Sequence, residues 1–489
     1  MNTAINYNKI KKALYTISVF IICINPNNII AQDIVQYKIS KPLCLLNFVE
    51  TIVGNENFIT SESFQKYIEQ NMTNDSSFKK SLAELNKINE SFIFEQKMTI
   101  EYRFSNSYSY DSLCAAASVS NDLNEFYNNS KNILSELNHQ KLFNILVNAE
   151  PYYDKLIWNK YEKALIKKVN NLKKFQPQVN NIFNKLKLFY NSNWQIQKPF
   201  IVCFYPELGE FPSHKASVNN NLIVSAIPIE WDEPALDLSV VVHEICHALY
   251  ESQALEFKLL LEKLFLNSKS EYKKIAYLYF DEALATACGQ GWAYKQIKDK
   301  KNSENWYYDE YVDDYSHIIY DLTEGYINKG MEIDSSYIAN CIEYFKNKFK
   351  KSIYKFDLIF KKINIYTEDS IGIEEEDKLL VIPYSFNSLE VYLFYTNIDS
   401  INSFNESNII FVSQNVNEVL LKLCKIFPEH EKYLKDNTDK NFVLSFFDNK
   451  NRPTIIIITD DIDKLEIIIK NIFKKKYIDI KNPYLKLNI

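Results

Sequence analysis

The chain is organised around the stretch LSVVVHEICHALY at residues 238–250, whose centre has the pattern H-E-x-x-H. In an α-helix, residues four positions apart lie on the same face, so the imidazoles of His243 and His247 can bind one metal ion. Glu244 lies next to the first histidine and can reach a water bound to that ion. Zinc hydrolases use two imidazoles and an adjacent carboxylate to generate hydroxide near neutral pH. The stretch therefore predicts a zinc-binding helix with Glu244 as general base.

Length and composition are those of an ordinary globular protein. A chain of 489 residues is expected to form two or three domains. Its hydrophobic content of 46% excludes a disordered chain, and its net charge of −6 gives no sign of a nucleic-acid surface. The eight cysteines form no C-x-x-C pair and are too widely spaced for a disulfide scaffold, so most are expected to be buried thiols. The sequence is also compatible with one or two disulfide bridges.

The N-terminus has the order of a secretory signal peptide over residues 1–31. Three lysines precede the apolar run at residues 13–24, and the small residue Ala31 marks a cleavage site. The apolar run is short for a membrane span, and no later segment reaches about 18 uninterrupted apolar residues. We therefore expect an exported bacterial protein, periplasmic, cell-surface or secreted, without a stable membrane span after signal removal. An uncleaved N-terminal membrane anchor is the alternative.

The rest of the chain divides into three predicted regions. Residues 32–198 are mostly helical, because apolar residues recur at spacings of three and four. Residues 199–362 begin with two short β-type runs, at 200–206 and 221–228, that lead into the histidine helix. Residues 363–489 alternate predicted strands and helices, as a small α/β domain does. The expected fold class is α+β and mostly helical, with a small β-sheet preceding the histidine helix and a small C-terminal α/β domain.

Local patterns predict individual elements within these regions. Pro234 suits the first turn of the histidine helix, and Gly289 and Gly291 mark the expected end of a later helix. Residues 363–377 are expected to form an acidic linker. The C-terminal domain is predicted to have strands at residues 379–383, 391–395, 409–412, 442–447 and 454–458, and helices at residues 416–426 and 462–473.

The two histidines need a third protein ligand, because a catalytic zinc ion keeps its fourth position for water. A third histidine in the same helix is absent, since residues 248–253 read ALYESQ. Glu282 lies downstream in a stretch reading Asp-Glu-Ala-Leu-Ala, whose small residues would let its helix pack closely against the histidine helix. Glu282 is therefore the favoured ligand. Asp281 and Glu251 are the weaker candidates.

An H-E-x-x-H helix followed by a helix reading Glu-Ala-x-Ala resembles the gluzincin group of zinc peptidases, over roughly residues 199–361. The pattern is also similar to secreted bacterial proteins with H-E-x-x-H and Glu-Ala-x-Ala-Thr motifs. The resemblance implies a zincin-like catalytic domain that holds one Zn²⁺ ion. It assigns His243, His247 and Glu282 as metal ligands and Glu244 as the general base.

The chain departs from the thermolysin-like pattern beside the ligands. Thr286 stands where those enzymes have an aspartate, so Thr286 or Asp281 would orient a ligand histidine instead. In many zinc peptidases the last strand before the histidine helix binds an extended peptide by strand addition. Residues 218–228 are the candidate for that strand here.

Hydrolysis also needs a donor that stabilises the oxyanion formed on the attacked carbonyl. Residues 307–317 are rich in tyrosine and contain a histidine. In the resembling bacterial proteins, a Tyr-x-Asp element lies at this distance from the Glu-Ala-x-Ala motif. Tyr311 is the favoured donor, and Tyr315 and His317 are the alternatives.

These expectations describe an exported zinc metallopeptidase that hydrolyses a peptide or protein substrate. One alternative is a catalytically silent binding protein with or without structural zinc, although a structural site would not need Glu244. Another is a hydrolase of non-peptide amides, such as cell-wall links. The sequence leaves open the cleavage specificity, the oligomeric state and whether residues 32–198 form a removable propeptide.

Overall fold

The fold is taken from a computed structural model of the chain. It describes residues 33–53, 62–71, 82–85, 88, 93–96, 105–210, 214–360, 362–367, 378–386, 391–403, 406–413, 416–435, 441–459, 461–474, 477–478 and 483–486. The predicted signal peptide lies outside the described residues. The described residues form two compact units, one within Met1–Lys263 and Tyr279–Ile338, and the other within Leu264–Leu278 and Ala339–Ile489.

The chain is mostly helical, with small mixed sheets, as expected for an α+β protein. Its helices are α1 (Lys41–Val53), α2 (Glu62–Asn71), α3 (Ser109–Ser118), α4 (Leu123–Asn129), α5 (Glu136–Tyr153), α6 (Asn159–Leu172), α7 (Gln176–Phe189), α8 (Pro234–Glu251), α9 (Leu255–Leu266), α10 (Lys273–Leu278), α11 (Phe280–Thr286), α12 (Tyr294–Lys298), α13 (Glu310–Lys329), α14 (Ser335–Lys348), α15 (Phe356–Ile359), α16 (Val381–Tyr384), α17 (Val416–Ile426), α18 (Glu431–Lys435) and α19 (Leu465–Lys474). Its strands are β1 (Val35–Lys38), β2 (Ile93–Gln96), β3 (Ser105–Tyr108), β4 (Phe200–Glu207), β5 (Ala216–Asn219), β6 (Leu222–Pro228), β7 (Lys362–Tyr366), β8 (Val391–Tyr395), β9 (Ser407–Val412), β10 (Phe442–Phe447), β11 (Pro453–Ile458) and β12 (Tyr484–Lys486).

A four-stranded sheet with the order β1-β4-β6-β5 precedes the histidine helix in the first unit. Strands β1, β4 and β6 are parallel, and β5 pairs antiparallel with β6. The sequence predicted β4 and β6 but not β1 or β5. The prediction of residues 218–228 as the peptide-binding strand is wrong for Leu222–Ser225, because these residues of β6 already pair with β4 on one side and with β5 on the other. Among the described strands of this sheet, β5 is the edge nearest the histidine helix.

The N-terminal helices share one hydrophobic core with this sheet. Leu46 of α1 and Leu146 of α5 are fully buried in the same cluster as Cys203 of β4 and Ala226 of β6. Strand β1 adds main-chain pairing to β4 over four residues of each strand. The predicted boundary between residues 198 and 199 therefore falls inside a single compact unit.

Helix α8 lies in the centre of the first unit. It begins at Pro234, which occupies its first turn as predicted. Residues on every side of the helix are buried, including Leu238, Val241 and Leu249. A helix that is enclosed all round holds its side chains in fixed positions, and this gives the two histidines a rigid support.

The prediction that Gly289 and Gly291 end a helix is wrong. Helix α11 continues through a π-helical stretch, Ala287–Ala293, into α12, and the chain leaves the helical conformation only at Asp299, which has a φ of 53°. A Cβ atom on Gly289 would lie 2.7 Å from the main-chain oxygen of Ser239 in α8. Gly289 is therefore required for the close approach of two helices rather than for a helix end.

The second unit contains a six-stranded sheet with the order β12-β10-β11-β9-β7-β8. The central strands are parallel, and β10 and β12 run antiparallel to their neighbours. Alternate residues face opposite cores, as Ile409 and Phe411 do on one side and Ile410 and Val412 on the other. Apolar side chains bury both faces of the six-stranded sheet. This unit therefore has the predicted α/β character.

Two details of the second unit differ from prediction. Residues 363–366, expected at the start of a linker, form the buried strand β7, and residues 368–377 lie outside the described part of the chain. Residues 379–383 were expected to form a strand but lead into helix α16. Leu379 and Ile382 are both buried in one core, which fits a helical spacing of three residues.

The described residues contain no helix that is both long and apolar enough to cross a bilayer. The cysteines in the described part of the chain are free thiols, and all of them are buried, as the sequence predicted for most.

Candidate metal centre

Three side chains from two helices come together in the first unit. His243 and His247 of α8 place their Nε2 atoms 3.0 Å apart. In Glu282, which lies in the first turn of α11, Oε2 is 3.5 Å from Nε2 of His243 and Oε1 is 3.5 Å from Nε2 of His247. The three residues form a group that can hold a metal ion. Glu251, the other candidate on α8, is exposed at the end of the helix and is not part of this group.

The remaining ring nitrogens of the two histidines have partners of their own. Nδ1 of His247 lies 3.2 Å from a carboxylate oxygen of Asp281. Nδ1 of His243 lies 3.2 Å from Oε1 of Gln290 and 3.5 Å from the hydroxyl of Thr286. These contacts direct both Nε2 atoms towards Glu282. The sequence named Asp281 and Thr286 as orienting residues, and it missed Gln290.

Gln290 reaches His243 because of the π-helical stretch that follows α11. The wider turn of a π-helix changes the direction of the side chains that follow it, and such turns are frequent at functional sites. The close approach of Gly289 to α8 brings the neighbouring Gln290 within reach of the imidazole. A sequence pattern does not reveal a π-helical turn. Apart from the nearby Gly289 and Gly291, nothing in the sequence therefore indicates the contact between Gln290 and His243.

The charges of the site act on one another. Burial favours a neutral Glu282, but the adjacent His247 and His243 outweigh burial and hold the pKa of Glu282 well below its usual range. Burial likewise favours a neutral His247, yet the carboxylates of Glu282 and Asp281 raise the pKa of His247 well above its usual range. Without an ion, the site therefore favours an ionised carboxylate beside a protonated imidazole.

Glu244 is buried next to the first histidine, with 8% of its surface exposed. Burial raises the pKa of the Glu244 carboxyl, and the nearby histidines act in the opposite direction. A carboxyl whose pKa is raised by burial is suited to accept and return a proton near neutral pH.

The three residues predicted as candidates for the oxyanion donor, Tyr311, Tyr315 and His317, lie on α13 and differ in their surroundings. The ring of Tyr311 is centred 6.0 Å from that of Tyr279, and Tyr315 is fully buried. His317 packs on Trp306, with ring centres 3.8 Å apart. A ring that stacks on His243 comes from a residue just before α13.

Tyr307 occupies that position. Its ring is nearly parallel to the imidazole of His243, with ring centres 6.0 Å apart and an interplanar angle of 19°. Burial, together with the negative charge and hydrogen-bonding contact of Glu282, raises the pKa of the Tyr307 hydroxyl, so this hydroxyl stays protonated. The sequence included Tyr307 in the tyrosine-rich stretch but favoured Tyr311.

Comparison of the chain with protein-family models, with curated proteins and with solved structures gives no match. The functional argument therefore depends on the geometry of this centre.

Proposed function

We propose that the protein is an exported, zinc-dependent peptidase of the gluzincin type. The observation that carries the proposal is the convergence of His243, His247 and Glu282 beside the buried carboxyl of Glu244. A structural metal site would be closed by four protein ligands and would need no base next to it. A catalytic site needs three ligands, an open position and a proton acceptor.

The spacing of the three donors fits zinc. A tetrahedral zinc ion with bonds of about 2.0–2.1 Å separates neighbouring ligand atoms by about 3.3 Å. The observed separations are 3.0 Å between the two Nε2 atoms, 3.5 Å from Nε2 of His243 to Oε2 of Glu282 and 3.5 Å from Nε2 of His247 to Oε1 of Glu282. Two imidazoles and one carboxylate are also the ligand set of many zinc peptidases.

When bound, zinc would supply Lewis-acid activation of water near neutral pH. Glu244 would accept the proton released as that water attacks the peptide carbonyl, and it would return the proton to the leaving amine. The Tyr307 hydroxyl, which stays protonated, would donate a hydrogen bond to the oxyanion. Asp281, Gln290 and Thr286 would keep the ligand imidazoles in the orientation that leaves each Nε2 free to bind.

An extended peptide would bind along β5. This strand is the edge of the sheet among its described strands, and it packs against α8. Peptides that add to a sheet edge bind through main-chain hydrogen bonds, while side-chain pockets supply the specificity. The signal-peptide pattern at residues 1–31 supports activity outside the cytoplasm.

The first experiment measures zinc content and cleavage of an unbiased peptide mixture by the wild type and by Glu244→Gln. We expect one zinc ion per chain in both proteins and a loss of cleavage in the variant of about 10²-fold or more. If wild-type protein loaded with zinc cleaves no peptide, the peptidase proposal fails. A silent zinc-binding protein or a hydrolase of non-peptide amides would then be favoured, and cell-wall fragments would be the next substrates to test.

The second experiment compares Tyr307→Phe with Tyr311→Phe, a matched removal of one hydroxyl. We expect Tyr307→Phe to lower kcat by about 10²-fold with little change in KM, because the donor acts on the transition state. Tyr311→Phe is expected to retain most of the activity. A larger loss of kcat in Tyr311→Phe than in Tyr307→Phe would instead assign the role of oxyanion donor to Tyr311.

A further inference from the structure

The loop before α13 carries Tyr307 and is fixed by one carboxylate. Oδ1 of Asp313 accepts hydrogen bonds from the main-chain N–H groups of Trp306 and Tyr307, at 2.6 Å and 2.9 Å. Two bonds from successive main-chain groups to one carboxylate oxygen fix the path of the loop at these residues. Hydrogen bonds to an ionised acceptor are stronger than those between neutral groups.

The Trp306 side chain anchors the same loop. It is buried, its ring centre lies 3.8 Å from that of His317, and its ring meets the edge of Tyr320. A Cβ atom on Gly291 would lie 2.8 Å from the Trp306 ring, so the indole occupies space that only glycine leaves open. Gly291 belongs to the π-helical stretch that continues the Glu282 helix. The loop is thus joined to the element that supplies the third ligand.

The beginning of α13 does not need Asp313 as a cap. Asp309 is the capping residue, and its side chain accepts hydrogen bonds from the N–H groups of Tyr311 and Val312. The carboxylate of Asp313 is directed back to the loop. A purely helix-stabilising role would therefore leave its two bonds to Trp306 and Tyr307 without explanation.

We infer that Asp313 is a positioning residue that holds Tyr307 against His243 and Glu282 through the main chain of the loop. The inference rests on the proposed function, since it assigns the purpose of this arrangement to the reaction at the metal centre. Without the two hydrogen bonds, the Tyr307 ring would no longer be held parallel to the His243 imidazole. A displacement of about 1 Å at a reacting centre can lower a rate by about 10²-fold.

The test combines Asp313→Ala, Asp313→Asn, Tyr307→Phe and the double variant of Asp313→Ala with Tyr307→Phe, all in the full zinc-loaded protein. Asparagine keeps an acceptor oxygen, so Asp313→Asn should recover most of the kcat that Asp313→Ala loses. Because Asp313 acts through Tyr307, the double variant should be no slower than Tyr307→Phe alone. Asp122→Ala is the matched control, since Asp122 also accepts hydrogen bonds from two main-chain N–H groups, at the start of α4.

A second measurement does not depend on activity. Hydrogen–deuterium exchange at the Trp306 and Tyr307 amides should be at least tenfold faster in Asp313→Ala than in the wild type or Asp313→Asn. Exchange at the wild-type rate in Asp313→Ala, or kcat losses that multiply in the double variant, would overturn the inference. If the zinc-loaded wild type cleaves nothing, the proposed function fails, while the exchange rates still decide whether Asp313 holds the loop.

Discussion

At the scale of single residues, the contacts of the Nδ1 atoms of His243 and His247 determine how the two histidines can bind a metal ion. An imidazole that uses Nδ1 in a fixed contact can offer only Nε2, and its ring cannot rotate without losing that contact. His247 has this support from Asp281, and His243 has it from Gln290 and Thr286. The orientation of the two imidazoles is thus set by residues outside the group that could hold the ion.

The first prediction concerns Asp281→Ala. Removing the carboxylate leaves Nδ1 of His247 without its partner, and we expect zinc to bind about 10–100-fold more weakly. Asp281→Asn keeps an acceptor oxygen and should recover part of this loss. Competition with a chelator of known affinity measures the dissociation constants. Glu251→Ala, which removes an exposed carboxylate at the end of α8, is the control, and equal affinities in the two alanine variants would contradict the prediction.

The second prediction concerns pH. The carboxylates of Glu282 and Asp281 raise the pKa of His247 well above its usual range in the protein without an ion. Below that pKa, zinc must displace a proton from His247, so its affinity should fall by about tenfold for each unit decrease in pH. Above that pKa, no such competition acts and the affinity should level off.

Asp281→Asn provides the check on this pH dependence. It removes one of the charges that raise the pKa of His247, so the same fall in zinc affinity should begin at a lower pH. Titrations of zinc into both proteins across the pH range measure the two curves. Superimposable curves of zinc affinity against pH would show that Asp281 does not raise the pKa of His247.

At the scale of elements, the close contact between α8 and the π-helical stretch after α11 determines the separation of the ligands. A Cβ atom on Gly289 would lie 2.9 Å from both the main-chain nitrogen and the Cβ atom of His243. We therefore expect Gly289→Ala to push the two helices apart, lowering the free energy of unfolding by about 1–3 kcal/mol. Zinc affinity should fall as well, since the displaced backbone carries His243.

Gly325 in α13 offers the matched control for this substitution. No atom lies within 4 Å of the position that a Cβ would take there. Gly325→Ala should therefore stabilise the protein by about 0.5–1 kcal/mol through the helix preference of alanine. Thermal unfolding and zinc titration of both variants make the comparison. A Gly289→Ala protein that unfolds and binds zinc like the Gly325→Ala protein would rule out the close-contact explanation.

The elements also show what the sequence could and could not predict. The histidine pair was predictable because its geometry depends on the spacing within one helical turn, and Glu282 because small residues surround it. Tyr307 was not, since residues 307–317 contain four tyrosines and only the contacts of the folded loop distinguish them. The role of Gly289 was not predictable either, because a glycine that ends a helix and a glycine at a contact between two helices look alike in sequence.

At the scale of the whole molecule, the N-terminal helices and the sheet before α8 form a single unit. Strand β1 pairs with β4, and the buried side chains of α1 and α5 lie in one cluster with those of β4 and β6. A removable propeptide usually leaves behind a domain with its own core, whereas loss of these helices would expose sheet residues that they bury, such as Cys203 and Ala226. Residues 32–198 should therefore stay in the active protein.

The last prediction compares two truncated proteins. A chain that starts at residue 32 loses only the predicted signal peptide, and we expect it to unfold cooperatively on heating and to bind one zinc ion. A chain that starts at residue 199 loses the partners of Cys203 and Ala226 in the core, so its first unit should not fold or bind zinc stoichiometrically. Circular dichroism melting and zinc analysis distinguish the two. A chain of residues 199–489 that binds zinc and cleaves peptides faster than the longer one would instead identify residues 32–198 as an inhibitory propeptide, because removal of a blocking segment would raise activity whereas loss of core partners would lower it.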